Sequence, residues 1–210
     1  MSGLIWKDLL VLRRSVRVYL LLVVFYALMA VTGVWDESVF GGISALLVTI
    51  LPLNCFSWDN LARWDTYALT LPLTRRQVVG ARYLVTLLIA AAALVLTLGL
   101  GLLASLFNRE LDLFSLGAGA VICLLAALIL SAVLLPLLYR FGPEKARILL
   151  LVVIAAGVLA VLGMVSLAER QALPLPDAGL WMAAALPAAA VLMLAASFWL
   201  SCRIYGRKEG

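Results

Sequence analysis

The residue types that carry most enzyme chemistry are scarce in this chain and lie far apart. Histidine, the commonest general base and metal ligand, is absent. Three cysteines, Cys55, Cys123 and Cys202, are scattered in or beside apolar runs, which argues against both a disulfide framework and a metal-spaced cluster. The acidic residues fall in turns and tails, without the paired carboxylates or activated nucleophile that hydrolytic chemistry needs. We therefore expect no catalytic residue, no metal and no cofactor in this chain.

The sequence also lacks an internal means of using an energy source. A phosphate-binding loop of the form G-x-x-x-x-G-K-[ST] does not occur, so the chain cannot itself use ATP by that route. The centres of its apolar runs hold no Asp, Glu, Lys or Arg, the residues that mark proton relays and ion pathways in membranes. An ion-driven secondary transporter is therefore hard to build here, and active transport would need energy from another chain.

Composition defines the class of protein. Of the 210 residues, 66% are hydrophobic and 13% are charged, and the mean hydropathy is +1.15. Ordinary soluble domains are about half apolar and one quarter charged, so this chain is an integral membrane protein. Its net charge of +5 is better explained by basic residues gathered on one membrane face than by nucleic-acid binding.

We predict an all-α membrane protein with two parts. Residues 1–17 form an interfacial amphipathic helix, with apolar Ile5, Leu9, Leu12 and Val16 opposite basic Lys7, Arg13, Arg14 and Arg17, which would face anionic lipid. A signal peptide is the alternative, but the next apolar run is longer than a usual signal sequence. Residues 18–210 form a transmembrane domain with six spans, at about 18–34, 39–56, 78–107, 113–139, 148–168 and 180–201.

Basic residues set the predicted orientation. Fourteen of the 16 Lys and Arg residues lie in the N-terminal segment, in the 58–84 and 140–147 loops and in the C-terminal tail. Only Arg109 and Arg170 fall in the opposite turns. The positive-inside rule therefore predicts a multi-pass protein of the cell membrane with both termini in the cytoplasm.

The loop between spans 2 and 3 is the longest polar interruption in the first half of the chain. Its periodicity predicts a short amphipathic helix in which Asp59 pairs with Arg63, four residues later, and which Pro72 ends. Thr74 and Gln77 form a predicted capping box that begins the third span. The loop is either an ordinary one whose aromatic residues anchor at the headgroups or a docking element for a cytosolic partner.

Two other local patterns concern the helices themselves. Gly142 is expected to end one helix and Pro143 to open the next. Small residues recur at packing spacing, which permits close helix contact. They serve either internal packing or a face for a second copy or a cavity, and they are Gly41, Ala45, Thr49, Ala156, Ala160 and Gly163.

The layout resembles the small permease subunits of type-2 ATP-binding-cassette (ABC) transporters, a class related to exporters of peptides, lipids and drugs. The resemblance covers nearly the whole chain. It rests on the N-terminal helix, on the six spans and on the loop between spans 2 and 3, here called the 2–3 loop. In this family that loop has an aromatic-rich helix followed by a leucine-proline-x-[ST]-arginine turn. Here those residues are Trp58, Trp64, Tyr67, Leu71-Pro72-Leu73-Thr74-Arg75 and, entering span 3, Arg82-Tyr83-Leu84.

The resemblance implies a function and partners. The 2–3 loop would be a cytoplasmic coupling helix, at Asp59 to Thr70, seated in a cleft of an ATP-binding subunit that holds ATP and Mg. The residues implied in that contact are Trp58, Asp59, Arg63, Trp64, Tyr67, Leu71, Pro72, Arg75 and Arg76. A second permease protomer, identical or related, would complete an exporter of a hydrophobic or amphipathic peptide or lipid-like substrate. A non-ABC carrier or channel, and an immunity or assembly factor, remain the alternatives.

Overall fold

The fold was analysed in a computed structural model, which describes residues 2–31, 38–68, 74–107, 113–171 and 178–206. These residues form six α-helices: α1 (Ser2–Val31), α2 (Ser38–Leu61), α3 (Trp64–Ala68), α4 (Arg75–Phe107), α5 (Leu113–Gln171) and α6 (Ala178–Gly206). The described part of the chain contains no strand. The expectation of an all-α protein is confirmed.

Three stretches among the described residues are long and apolar enough to cross a bilayer: Arg75–Leu103, Leu116–Leu159 and Ala185–Gly206. The second is 44 residues long, about twice what one crossing needs. Gly142 interrupts it with φ 77° and ψ 172° and separates α5 into two arms, 113–141 and 143–171. The helix break expected at Gly142-Pro143 is confirmed, while the arrangement of six spans stays a prediction.

Helix α1 is continuous from Ser2 to Val31 and shows no break at the expected 17/18 boundary. Leu4, Asp8 and Leu12 are buried against the other helices, whereas Leu9 is 40% exposed. The apolar stripe was predicted for a helix at the membrane interface, and that placement stays a prediction. Asp8 is the unexpected member of the buried face, because a carboxylate inside a protein needs a partner of opposite charge.

The core lies between α2, α4 and the first arm of α5. Val48 of α2, Val79 of α4 and Leu134 and Leu135 of α5 are fully buried. Hydroxyls add contacts between helices: Ser131 donates to the Val48 carbonyl at 3.4 Å, and Ser197 of α6 donates to the Ala132 carbonyl at 2.5 Å. Such bonds satisfy polar groups where water is absent and tie neighbouring helices together.

Contacts between helix ends place one end of α1, α2, α4 and α6 together with the α5 break. We call this the polar end. Tyr139, just before the break, packs its ring 4.9 Å from Phe56 of α2 and 5.5 Å from Tyr205 of α6. Arg75 at the start of α4 donates to the main-chain carbonyls of Tyr205 and Gly206 at the end of α6. The predicted 2–3 loop lies at this end.

The predicted helix across that loop is interrupted. Helix α2 extends to Leu61, Arg63 has a positive φ of 49°, and the five-residue α3 follows. A positive φ is rare for a residue other than glycine and stops an α-helix, so the continuous helix expected from Asp59 to Thr70 is wrong. Residues 69–73, which include Leu71 and Pro72, lie outside the described part of the chain.

Candidate functional site

Four charged side chains from three helices meet at the polar end: Lys7 and Asp8 of α1, Asp59 of α2 and Arg82 of α4. We call this group the charge cluster. The Lys7 Nζ lies 2.9 Å from both carboxylate oxygens of Asp59 and 3.2 Å from Asp8 Oδ1. Arg82 pairs with Asp8, Nη1 to Oδ2 at 2.9 Å, and with Asp59 through Nη2. Each cation therefore binds both carboxylates.

The cluster is shielded from solvent. The side chains of Arg82 and Asp8 are only 8% and 4% exposed. Removing charges from water is costly, and the cost is recovered only when each charge has close opposite partners. Two cations and two carboxylates sum to zero formal charge, and their ion pairs connect α1, α2 and α4. Asp8 Oδ1 and Arg82 Nη1 lie at ion-pair distance from their partners but form no hydrogen bond among the described residues.

Aromatic rings cover both cations. Lys7 Nζ lies 3.9 Å from the ring centroid of Trp64 in α3, and the guanidinium carbon of Arg82 lies 4.8 Å from that of Phe56. A cation over a ring face gains about 0.5–2 kcal/mol, more when water is excluded. Through the Trp64 contact, α3 is attached to α1 as well as to α2.

Burial and the neighbouring Arg82 cation lower the pKa of Lys7 from the ordinary lysine value, and the adjacent Asp8 carboxylate opposes that change. The direction follows from the cost of holding an ammonium group out of water beside a second cation.

A small cavity of about 50 Å³ lies where the cluster meets the α5 break. Asp59, Trp64 and Arg82 line it together with Tyr139, Gly142 and Pro143. The buried Tyr139 hydroxyl has no hydrogen-bond partner among the described residues. A cavity of this volume with polar groups on its wall has room for water. The α5 break therefore lies directly against the corner formed by α2, α3 and α4.

The start of α4 has the geometry that the sequence predicts. The Thr74 main-chain N–H donates to Gln77 Oε1 at 3.0 Å, and the Gln77 N–H donates to Thr74 Oγ1 at 3.3 Å. These reciprocal bonds are a capping box, which satisfies main-chain donors that a helix start leaves without partners. The predicted capping box is confirmed.

One predicted pair is corrected. Asp59 binds Lys7 and Arg82, not Arg63, which is exposed and lies where the helix stops. The i,i+4 rule requires an unbroken helix, and the positive φ of Arg63 removes that condition. Lys7 is likewise not directed at lipid, since it lies over Trp64 and between two carboxylates.

The other residues implied in partner contact lie around the same corner. Trp58, Tyr67, Arg75 and Arg76 are exposed, and the Tyr67 ring lies 5.5 Å from that of the half-buried Trp64. The corner thus presents aromatic and basic side chains outward and encloses the charge cluster beneath them.

The small-residue faces are placed differently from each other. Ala45 is half-buried, and Thr49 is buried and donates to the Ala45 carbonyl at 2.8 Å. Ala156 is exposed and Gly163 is half-buried on the second arm of α5. The side-chain positions of Gly41 and Ala160 lie outside the described part of the chain.

Sequence reasoning missed Lys7, Asp8 and Arg82 as members of one site. A signal was present: Asp8 sits midway between Leu4 and Leu12 at four-residue spacing, and Arg82 lies in the apolar part of α4 that follows Arg75, Arg76 and Gln77. An acid on an apolar stripe and a base in an apolar segment each need a buried partner of opposite charge.

Comparison with known proteins identifies the family. The sequence profile described as "ABC-2 family transporter protein" matches residues 3–206, nearly the whole chain. A search of curated proteins finds no significant match. The apolar helices described above agree with a multi-pass membrane protein of this kind. The chain therefore belongs to the ABC-2 transporter family and is a permease subunit of an ABC-2 type transporter.

Proposed function

We propose that this permease is half of an ATP-driven exporter, and that force from a separate ATP-binding subunit enters through the corner of α2, α3 and α4. The observation that carries the proposal is the charge cluster, which joins this corner to the N-terminal helix. ATP and Mg bind in the partner subunit, and the exposed Trp58 and Tyr67 contact it.

The connections of α3 indicate how a push would spread. Trp64 lies over Lys7, and Lys7 and Arg82 both hold Asp59. A displacement of α3 therefore acts on α1 through Lys7, on α2 through the short connection at Arg63, and on α4 through Arg82. Close-packed helices move as rigid units rather than deforming continuously, so the corner works as a lever.

The second arm of α5 supports a paired assembly. Every residue from 151 to 159 is exposed in the isolated chain, and the exposed apolar side chains include Leu151, Val152 and Leu159. A bilayer solvates such a surface, but the small Ala156 within it also allows close approach of another helix. We propose that a second permease protomer packs there and that the transport pathway lies between the two.

The substrate is inferred from the surface that would line the pathway between the protomers. Residues 151–159 of the second arm are exposed and uncharged. A pathway without fixed charges suits a hydrophobic or amphipathic peptide or a lipid-like molecule. Movement of the substrate out of the cytoplasm follows from the resemblance to exporters. The basic residues of the polar end favour placing that end, and both chain termini, in the cytoplasm.

The test uses the permease co-purified with its ATP-binding subunit in lipid nanodiscs. Trp64→Ala/Tyr67→Ala should abolish substrate-stimulated ATPase activity while leaving membrane insertion intact, because the corner then lacks its aromatic contacts. Trp6→Ala is the matched control, since Trp6 is an exposed aromatic residue of α1 outside the corner. Unchanged coupling in the double variant, or uphill transport by the permease alone without nucleotide, would contradict the proposal.

A further inference from the structure

A groove of about 840 Å³ runs between the first arm of α5 and α6. Its wall is mostly apolar and includes Pro136, Leu137, Met193 and Leu200. Its volume is within the range of about 300–1,000 Å³ found for small-molecule sites. The groove is open to the outside of the helical bundle, so its occupant would come from the surrounding medium, which for these helices is the bilayer.

Two arginines stand at one end of the groove. Arg140 lies two residues before Gly142, where α5 breaks, and Arg203 lies in the last turn of α6. Both arginines therefore belong to the polar end. Both are exposed, and neither forms an ion pair with a carboxylate of the described residues. The groove therefore has a cationic mouth and an apolar body.

Each of these guanidinium groups is oriented by an aromatic ring. The Arg140 guanidinium carbon lies 5.2 Å from the Phe141 centroid, and that of Arg203 lies 5.3 Å from the Trp199 centroid. Tryptophan is enriched at the level of the headgroups, where one part of the ring is apolar and the other is wet. The mouth of the groove thus lies at headgroup depth, and the apolar wall continues from it towards the hydrocarbon.

We propose that this groove binds an anionic phospholipid of the leaflet on the polar side, with its phosphate between Arg140 and Arg203 and an acyl chain along the apolar wall. Guanidinium groups pair with phosphate oxygens through two parallel hydrogen bonds, which makes arginine well suited to a phosphate. Basic pockets between membrane helices on the cytoplasmic side are known to bind anionic headgroups. Charge complementarity thus favours an anionic lipid over a second copy of the chain, whose polar-end surface is also basic.

The site does not depend on the proposed export function, so it is tested on the full-length permease without nucleotide. Native mass spectrometry of the protein in mixed micelles would compare bound phosphatidylglycerol with bound phosphatidylcholine. We expect phosphatidylglycerol to be preferred, and Arg140→Gln/Arg203→Gln to weaken its binding on the order of tenfold or more. The variant Arg140→Lys/Arg203→Lys keeps the charge and should retain most of the preference.

Two controls separate this groove from general attraction. Lys145→Gln/Arg147→Gln removes the same charge from exposed positions just after the α5 break that do not line the groove, and it should leave the preference unchanged. Ala196→Trp fills the groove without changing charge, because Ala196 lines it, and should also displace the lipid. Equal loss in the Lys145→Gln/Arg147→Gln control and the groove variant would overturn the proposal. Disulfide cross-linking between two Ala196→Cys protomers would also overturn the proposal, because the groove would then be a protein interface. The same holds if Arg140→Gln/Arg203→Gln binds lipid normally and loses only transport.

Discussion

Replacing Arg82 tests whether the charge cluster holds the polar end together. In Arg82→Met, two carboxylates would remain with Lys7 as their only cation. Asp59 keeps its contacts with Lys7 at 2.9 Å, so the loss falls mainly on Asp8, which is nearly inaccessible to water and retains Lys7 at 3.2 Å. Removing one partner of a buried pair costs about 3–5 kcal/mol, and the remaining Lys7 contact indicates the lower value, about 3 kcal/mol.

A double-mutant cycle isolates the electrostatic part of that cost. Asp8→Asn/Arg82→Met removes one charge of each sign and leaves the neutral pair of Lys7 and Asp59. We therefore expect the double variant to be more stable than the sum of the two single changes predicts, by about 1–3 kcal/mol. Arg76→Met is the matched control, because Arg76 is an exposed arginine of the same helix, and it should change stability by less than about 0.5 kcal/mol.

The assay is denaturant unfolding in detergent micelles, followed by tryptophan fluorescence. The chain has six tryptophans, and Trp64 reports directly on the cluster because it contacts Lys7. The reasoning is refuted if Arg82→Met costs no more than Arg76→Met, or if the double variant equals the sum of its single changes. Either result would mean that water reaches these side chains and screens them.

Two further predictions concern helix ends. Thr74→Ala removes the side-chain acceptor of the capping box and should lower the free energy of unfolding by about 0.5–2 kcal/mol. Thr74→Ser keeps a hydroxyl and should retain most of the wild-type stability. Equal stability of the two variants would show that the cap contributes nothing. Gly142→Ala forces a Cβ into a backbone with φ 77° and should destabilise the break by about 1–2 kcal/mol although nothing lies within 4 Å of the added atom. The control in the same unfolding assay is Gly157→Ala, because Gly157 is at an open position with no positive φ. A Gly142→Ala variant as stable as this control would contradict the prediction.

Features that depend on neighbouring residues were predicted well from the sequence. The capping box at Thr74 and Gln77 and the break at Gly142-Pro143 are examples, and both are present in the structure. A helix cap forms when side chains within about one turn accept from main-chain N–H groups, and a helix breaks where a glycine adopts a positive φ. Both depend only on neighbouring residues, so the local sequence contains the necessary information.

The predicted Asp59–Arg63 pair shows where this reasoning fails. The spacing suits an ion pair along one helix, but the positive φ of Arg63 interrupts the helix. The Asp59 carboxylate instead binds Lys7 of α1 and Arg82 of α4. Lys7 and Asp59 are 52 positions apart, and no periodicity along the chain relates them. Whether Asp8 faces lipid, water or the interior likewise depends on which helix packs beside it.

The sequence by itself determined that this chain is a helical membrane protein, since composition and the length of apolar runs decide which solvent a segment tolerates. Tertiary structure alone decided which charges share the polar end and that α1, α2 and α4 are fixed by a neutral cluster of four of them. Buried charges select their partners by proximity in space and by the cost of leaving water, and both are set only when the helices pack.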